Sequence, residues 1–297
     1  MAPAMQLVAR YRARHCRVGG DRWFGIHRGE IISGHAIRLA SATTRAWILS
    51  LCGRGNTCDA LQVEFTDQDL SAARFTRCRL SGSVIRGSDV TGLEIDDPHL
   101  REGTPWVNGV DVVPLVEAEL NRRFAGRELK TATTAEGLRA AWMAVEKAWA
   151  ELLPTAAGLA DVSVEGEWSF SQTLRHLVLA TNAWLHGAIL GRDQPFHWIG
   201  QPFAEYALEG RDMTIFRAPA SFEEVLAVRR EHQAMVWNYL TTVTDELLAE
   251  ARPHPWSPEH RVTVLHCLHV ILNEEWEHQR YAIRDLQKAA GGSRPAG

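Results

Sequence analysis

Apolar residues recur at helical spacing in four long segments of the C-terminal half of the chain. The clearest stripe consists of Leu138, Trp142, Val145 and Trp149. Its members are three or four positions apart, so they share one face of a helix. Pro154 would end this helix, because proline lacks the backbone N–H that continues the hydrogen bonding. The pattern predicts helices over residues 135–153, 169–190, 221–240 and 263–289.

Two of these predicted helices begin at a capping box, in which a serine and a residue three positions later satisfy each other's backbone N–H groups. Ser169 with Gln172 precedes the second helix, and Ser221 with Glu224 precedes the third. Four long amphipathic helices predict an all-α four-helix bundle. The long aromatic-rich connector between the second and third helices, 191–220, is expected to be either a lid over a site or a packed crossover.

A different period, of five residues, runs through the segment before the bundle. The large apolar residues at every fifth position are Phe65, Leu70, Phe75, Leu80, Ile85, Val90 and Ile95. A period of five fits neither a helix nor a flat strand, so it predicts a square solenoid in which each pentad forms one side. The segment resembles the pentapeptide-repeat family, which implies a short right-handed β-helix. Its open ends would need a cap, and a protein partner or a second copy could dock there.

Composition narrows the range of functions. The 297 residues are 45% hydrophobic and 23% charged with a net charge of −4, which argues against a general nucleic-acid binder. No apolar run reaches the length of a membrane span. Five cysteines without CxxC spacing favour a reducing compartment, so we expect a cytoplasmic protein.

These patterns predict a multidomain chain. Residues 1–59 are arginine-rich without a sustained period, so we expect a poorly structured extension, with a nucleic-acid-binding arm as the less favoured alternative. The solenoid covers 60–97, a connector with a short helix near 114–124 covers 98–128, the bundle covers 129–290, and 291–297 form a disordered tail.

The strongest indication of chemistry is a glutamate and a histidine four residues apart in the fourth predicted helix. Glu274 and His278 share a helix face at the border of the apolar arc, where two side chains can hold one metal ion. A third ligand from another helix would leave coordination positions open for a reaction. Glu275 and Glu277 point elsewhere and are expected to face solvent. From spacing alone, an exposed ion pair on the helix surface is the alternative.

Other residues of the fourth predicted helix fit a metal site less well. His266 and His269 point about 80° and 140° away from Glu274 on a helical wheel. Cys267 lies on the same face as Glu274, where we expect a buried structural thiol. Arg280 and Arg284 either attract an acidic substrate or are solvated charges.

Two blocks of sequence resemble a known family. Residues 168–177, Trp-Ser-Phe-Ser-Gln-Thr-Leu-Arg-His-Leu, are similar to the second helix of the DinB/YfiT-like four-helix bundles, and residues 274–286 are similar to the fourth. The resemblance covers residues 129–290 and implies a metalloenzyme with one ligand from helix two and two from helix four. By position these ligands are His176, Glu274 and His278.

The resemblance also implies a cofactor and a type of reaction. The metal would be divalent, with zinc expected first and nickel or iron as alternatives. Characterised members use a low-molecular-weight thiol such as mycothiol or bacillithiol, so we expect thiol transfer, thiol-assisted isomerisation or hydrolysis of a small-molecule substrate.

A non-catalytic binding or scaffold protein is the alternative, in which the solenoid docks a partner. A separation of more than about 6 Å between His176 and both Glu274 and His278 would favour it, because metal–ligand bonds are roughly 2 Å long.

Overall fold

The computed structural model describes residues 7–12, 31–33, 62–76, 78–203, 206–207, 209–217 and 220–291. The chain divides into two compact units, Met1–Thr91 and Gly92–Gly297. Most of the predicted extension over 1–59, and residues 292–297 of the predicted tail, lie outside the described residues.

In the first unit, three short strands form an antiparallel sheet. β1 (Leu7–Arg12) lies in the middle and pairs with β2 (Ile31–Ser33) and β3 (Gln62–Glu64). Residues 65–91 then form turns at 71–72 and 81–82, ten residues or two pentads apart. The large apolar residues of the pentads are exposed: Phe75 is 61% and Ile85 64% accessible. The described segment therefore does not enclose the apolar axis that a solenoid requires, and the solenoid remains a prediction.

The second unit is mainly helical. Its α-helices are α1 (Val113–Arg123), α2 (Ala135–Leu152), α3 (Phe170–Thr181), α4 (Phe222–Thr242), α5 (Asp245–Leu248) and α6 (Val264–Ala289). Its strands form two hairpins, β4 (Trp106–Val107) with β5 (Val110–Asp111) and β6 (Ala251–His254) with β7 (Ser257–Thr263). The predicted second helix continues beyond α3 as a π-helix over Asn182–Ile189. None of the helices in the described ranges is apolar over a stretch long enough to cross a membrane.

The four long helices pack around one core, as the apolar pattern predicted. α2 and α3 each pack against both α4 and α6. The predicted stripe of α2 is buried in this core, with Leu138 and Trp142 fully inaccessible. Both predicted capping boxes form, at Ser169 before α3 and at Ser221 before α4. The start of the helix that carries His176 is thus set by a local hydrogen-bonded pair.

The connector between α3 and α4 packs against the bundle. Phe196 stacks on Trp256 of the β6–β7 hairpin with ring centroids 5.9 Å apart, and it meets Phe216 at the same distance. The backbone N–H of Gln201 donates to the carbonyl of Arg175 in α3. Of the two expectations for this segment, the contacts favour the packed crossover over the lid.

The segment predicted to connect solenoid and bundle also belongs to the second unit. It contains α1, near the predicted position, and a 3₁₀ turn over Arg127–Thr131 that packs on α2 and α6. Arg127 and Lys130 are only 2% and 3% exposed. Their burial is compensated by a carboxylate oxygen of Glu277 in α6, which lies 3.2 Å and 3.6 Å from the two cations. These buried ion pairs fix the turn to the bundle.

A buried network of neutral polar side chains joins the π-helix to α4 and the connector. The amide nitrogen of Asn182 lies 3.0 Å from Nδ1 of His186 and 2.8 Å from Nε2 of His232. The amide oxygen of Asn182 accepts the backbone N–H of His197 at 2.9 Å. Nδ1 of His232 lies 2.8 Å from the carbonyl of Val228, so this nitrogen carries the proton and Nε2 accepts from Asn182.

This network makes the stability of the fold depend on pH. Burial lowers the pKa of His232 to about 4, below the value of about 6.5 in an unfolded chain. Between these values the unfolded state binds more protons, so the free energy of unfolding decreases as the pH falls, by about 3 kcal/mol for this group. Between pH 7 and pH 4, we expect the free energy of unfolding of His232→Gln to fall by about 3 kcal/mol less than that of the wild type, because glutamine does not titrate. Urea unfolding at the two pH values measures this difference. The exposed His260→Gln is the control, and an unchanged pH dependence in His232→Gln would contradict the assignment.

Candidate metal centre

Three potential metal ligands from two helices converge at the edge of the core. His176 comes from the middle of α3, and Glu274 and His278 come from successive turns of α6. Oε2 of Glu274 lies 3.4 Å from Nε2 of His176 and 3.2 Å from Nε2 of His278. One ligand atom of each residue lies within 4.8 Å of the other two. The structure thus brings together the three residues that the sequence analysis singled out.

The helix packing places these side chains at a rim that solvent can reach. The side chain of His176 is 10% exposed, that of His278 15% and that of Glu274 27%. The buried face of α6 is formed by neighbouring positions such as Cys267 and Ile271. Glu274 and His278 are more exposed and therefore lie at the border of this buried face, as the helical wheel predicted.

Electrostatics favours an ionised Glu274 and a neutral His278. Burial acts to raise the pKa of Glu274, but hydrogen bonds and charge interactions with His176 and His278 outweigh it and hold the pKa well below the usual range. Glu274 is therefore a carboxylate at neutral pH. Burial lowers the pKa of His278, although Glu274 opposes this shift. A neutral imidazole, which has a lone pair for a metal, is thus favoured at His278.

The connector orients the third ligand. Nδ1 of His176 lies 3.0 Å from the backbone carbonyl of Gln201, so it donates its proton there and leaves Nε2 directed at Glu274. The half-buried Trp168 packs against both imidazoles, with its ring centroid 4.7 Å from that of His176 and 6.0 Å from that of His278. The carbonyl and the indole thus restrict the rotation of the rings.

The donor set fits a divalent transition metal. Two imidazole nitrogens and one carboxylate oxygen form the ligand set of many catalytic zinc sites, which keep a further position open. The same set on one face of a metal also binds iron(II). Among the described residues, none of the three side chains forms a competing ion pair with an arginine or a lysine. Zinc, nickel and iron are all compatible with this chemistry.

The expectation that Glu275 faces solvent is wrong. Glu275 is 1% exposed and forms a short salt bridge with Arg229 of α4, itself 3% exposed. On the wheel Glu275 lies about 20° from Leu268 and Leu286, in the centre of the apolar arc. A helical wheel of α6 alone does not include Arg229 of α4, whose charge compensates the burial of the Glu275 carboxylate.

The expectation for Glu277 is also wrong. It is 6% exposed, because the 3₁₀ turn of Arg127 and Lys130 covers it. Arg280 and Arg284 are partly exposed, but neither cation is free to attract an acidic substrate. Both guanidinium groups donate to the carboxylate of Asp96, at 2.7 Å and 3.3 Å respectively.

The remaining candidates lie outside the triad. Nε2 of His269 donates to the carbonyl of Ala132, 2.8 Å away, and does not join the ligand cluster. Cys267 is fully buried, and burial raises its pKa to about 11, so it remains a protonated thiol. This agrees with the expected structural role.

Three residues that support the site were not identified from the sequence: Trp168, Gln201 and Arg229. Only the position of Trp168 near His176 gave a signal in the sequence.

Comparison with known proteins finds one matching family. A family model described as the DinB superfamily matches residues 137–282, which include α3, α4, most of α2 and α6, and all three candidate ligands. No curated protein matches the chain, and no solved structure matches it. The family match and the helical architecture support a DinB-like family for the C-terminal bundle.

Proposed function

We propose that the bundle is a metal-dependent enzyme of the DinB-like type, in which His176, Glu274 and His278 hold one divalent metal ion. The observation that carries the proposal is the convergence of three ligand atoms within 4.8 Å of one another. The alternative of a non-catalytic pocket would be favoured by a separation above about 6 Å, because metal–ligand bonds are roughly 2 Å long. The contact of 3.4 Å between His176 and Glu274 supports the metal site instead.

Each residue has a distinct part in this proposal. The two imidazoles would supply neutral nitrogen ligands, and Glu274 would supply one negative charge that offsets part of the charge of the ion. The three ligands approach from α3 and α6, which leaves the solvent side of the site for a substrate. A divalent metal bound here would lower the pKa of a coordinated water or thiol, so that it reacts as a nucleophile near neutral pH. Zinc is the first candidate, and nickel and iron are alternatives.

A low-molecular-weight thiol is the proposed co-substrate. Cys267 lies near the site but is buried and protonated, so it does not supply a nucleophile. Because Cys267 is the only cysteine in the sequence of the bundle, we propose that the reactive thiol comes from solution. The proposed reactions are thiol transfer, thiol-assisted isomerisation and hydrolysis of a small-molecule substrate.

One observation favours a second function. The exposed apolar side chains of residues 65–91 offer a surface on which a protein partner or a second copy of the chain could dock. This binding or scaffold function does not need the metal. Docking would survive treatment with a chelator, whereas the proposed catalysis would not.

Removal of a ligand tests the metal site. We expect purified protein to bind one equivalent of zinc, and His176→Ala and Glu274→Gln to weaken zinc binding by more than the roughly 10- to 100-fold that loss of a supporting residue costs. Titration of chelator-treated protein with zinc, followed by calorimetry and elemental analysis, measures this. His269→Ala is the matched control, because His269 lies on α6 but outside the triad. Zinc affinity that is unchanged in His176→Ala would overturn the proposal.

Cobalt substitution tests the thiol. Addition of mycothiol or bacillithiol to cobalt-loaded protein is expected to produce a sulfur-to-cobalt charge-transfer band, because a thiolate can occupy an open coordination position. The disulfide form of the same thiol is the control, since it has no thiolate. Absence of the band with both thiols, in protein that binds cobalt fully, would leave hydrolysis as the remaining reaction and contradict the role of the thiol.

A further inference from the structure

Arg175 is a buried arginine next to a proposed metal ligand. It is 8% exposed, and no carboxylate forms a salt bridge with it in the part of the chain that the structure describes. Its guanidinium instead donates to two backbone carbonyls of the connector, Nε to Ile199 at 2.8 Å and Nη2 to Arg217 at 3.1 Å. A buried cation costs free energy unless it is fully compensated. Two neutral acceptors offset only part of that cost, which points to a function for the contact.

The contact ties together two distant parts of the connector. Ile199 and Arg217 are 18 residues apart by their numbers in the chain, and the backbone N–H of Arg217 also donates to the carbonyl of Trp198 at 2.9 Å. One guanidinium thus closes the connector into a loop against α3. Removal of the side chain would leave both carbonyls without this donor.

The loop held in this way includes the peptide group that contacts His176. The backbone N–H of Gln201 donates to the carbonyl of Arg175 at 3.1 Å, and the carbonyl of Gln201 lies 3.0 Å from Nδ1 of His176. Gln201 is therefore attached to α3 at two consecutive residues. The side chain of Arg175 fixes Ile199, two residues earlier, and so limits how far Gln201 can move away from the imidazole.

We propose that Arg175 is a positioning residue of the metal centre, which acts through the connector on His176. By holding Ile199 and Arg217, it keeps the Gln201 carbonyl against Nδ1–H of His176 and so keeps Nε2 directed at Glu274. A carbonyl or carboxylate behind a histidine ligand fixes its tautomer and ring orientation, and loss of such a partner weakens metal binding about 10- to 100-fold. The effect on metal affinity rests on the proposed function, whereas the anchoring of the connector does not.

The test compares Arg175→Met with Arg139→Met. Arg139 is a matched control, because its guanidinium also donates to a backbone carbonyl, that of Leu240 at 3.0 Å, but away from the connector. We expect Arg175→Met to bind zinc about 10- to 100-fold more weakly than the wild type. Arg139→Met is expected to keep the wild-type affinity. Arg175→Lys retains a cationic donor and is expected to recover part of the loss.

Two measurements on metal-free protein separate this proposal from the metal site itself. Amide hydrogen exchange is expected to be faster at Gln201 in Arg175→Met and unchanged in the core of α2. The Nδ1 proton of His176, observed by NMR, is expected to exchange faster with solvent. If the wild type binds no zinc, the proposed function fails. If the amide of Gln201 exchanges equally fast in the wild type and in Arg175→Met, the positioning role of Arg175 is overturned as well.

Wild-type zinc affinity in a folded Arg175→Met would overturn the proposal even if the connector loosens. Should Arg175→Met fail to fold, the same comparison between Arg175→Lys and the wild type decides the matter, because lysine preserves the charge but not the two-carbonyl geometry.

Discussion

The buried ion pair between Arg229 and Glu275 is the constraint on which the geometry of the site depends. Two opposite charges inside a helical bundle must face each other, since either one alone would be destabilising by about 3–5 kcal/mol. Their contact across α4 and α6 sets the rotation of α6, because a change of one residue along a helix turns the side chain by about 100°. With Glu275 facing the core, Glu274 and His278 lie at its border, on the side where α3 presents His176. The ion pair between Arg229 and Glu275 thus determines where Glu274 and His278 lie on the bundle.

Local signals were sufficient to predict the helices of the bundle. Each of these signals lies within a single helix, and the structure reproduces all of them. They are the apolar stripe that contains Trp142, the capping boxes at Ser169 and Ser221, and the helical spacing that ends at Ala289. The π-helical continuation of α3 could not be predicted in this way. It accompanies tertiary contacts of Asn182 with α4 and the connector, which no pattern in a single helix records. The exposed pentad residues likewise show that a period alone does not establish an enclosed solenoid.

The candidate ligands were accessible from sequence for two different reasons. Glu274 and His278 follow from spacing on one helix, whereas His176 required the resemblance to a family, because its distance to α6 depends on how α3 packs. The supporting groups were missed since they act through the tertiary fold. A backbone carbonyl such as that of Gln201 has no signature in side-chain chemistry, and Glu275 was misplaced because its partner Arg229 lies on another helix.

Anomalous diffraction from zinc-loaded crystals, recorded on both sides of the zinc absorption edge, would locate the metal without reference to any model of the site. We expect one strong peak between α3 and α6, about 2.0–2.2 Å from Nε2 of His176, Nε2 of His278 and a carboxylate oxygen of Glu274. A peak beside other histidines, such as His254 and His266, with none at the triad would contradict this expectation. So would a fully zinc-saturated crystal in which His176 points away from the metal.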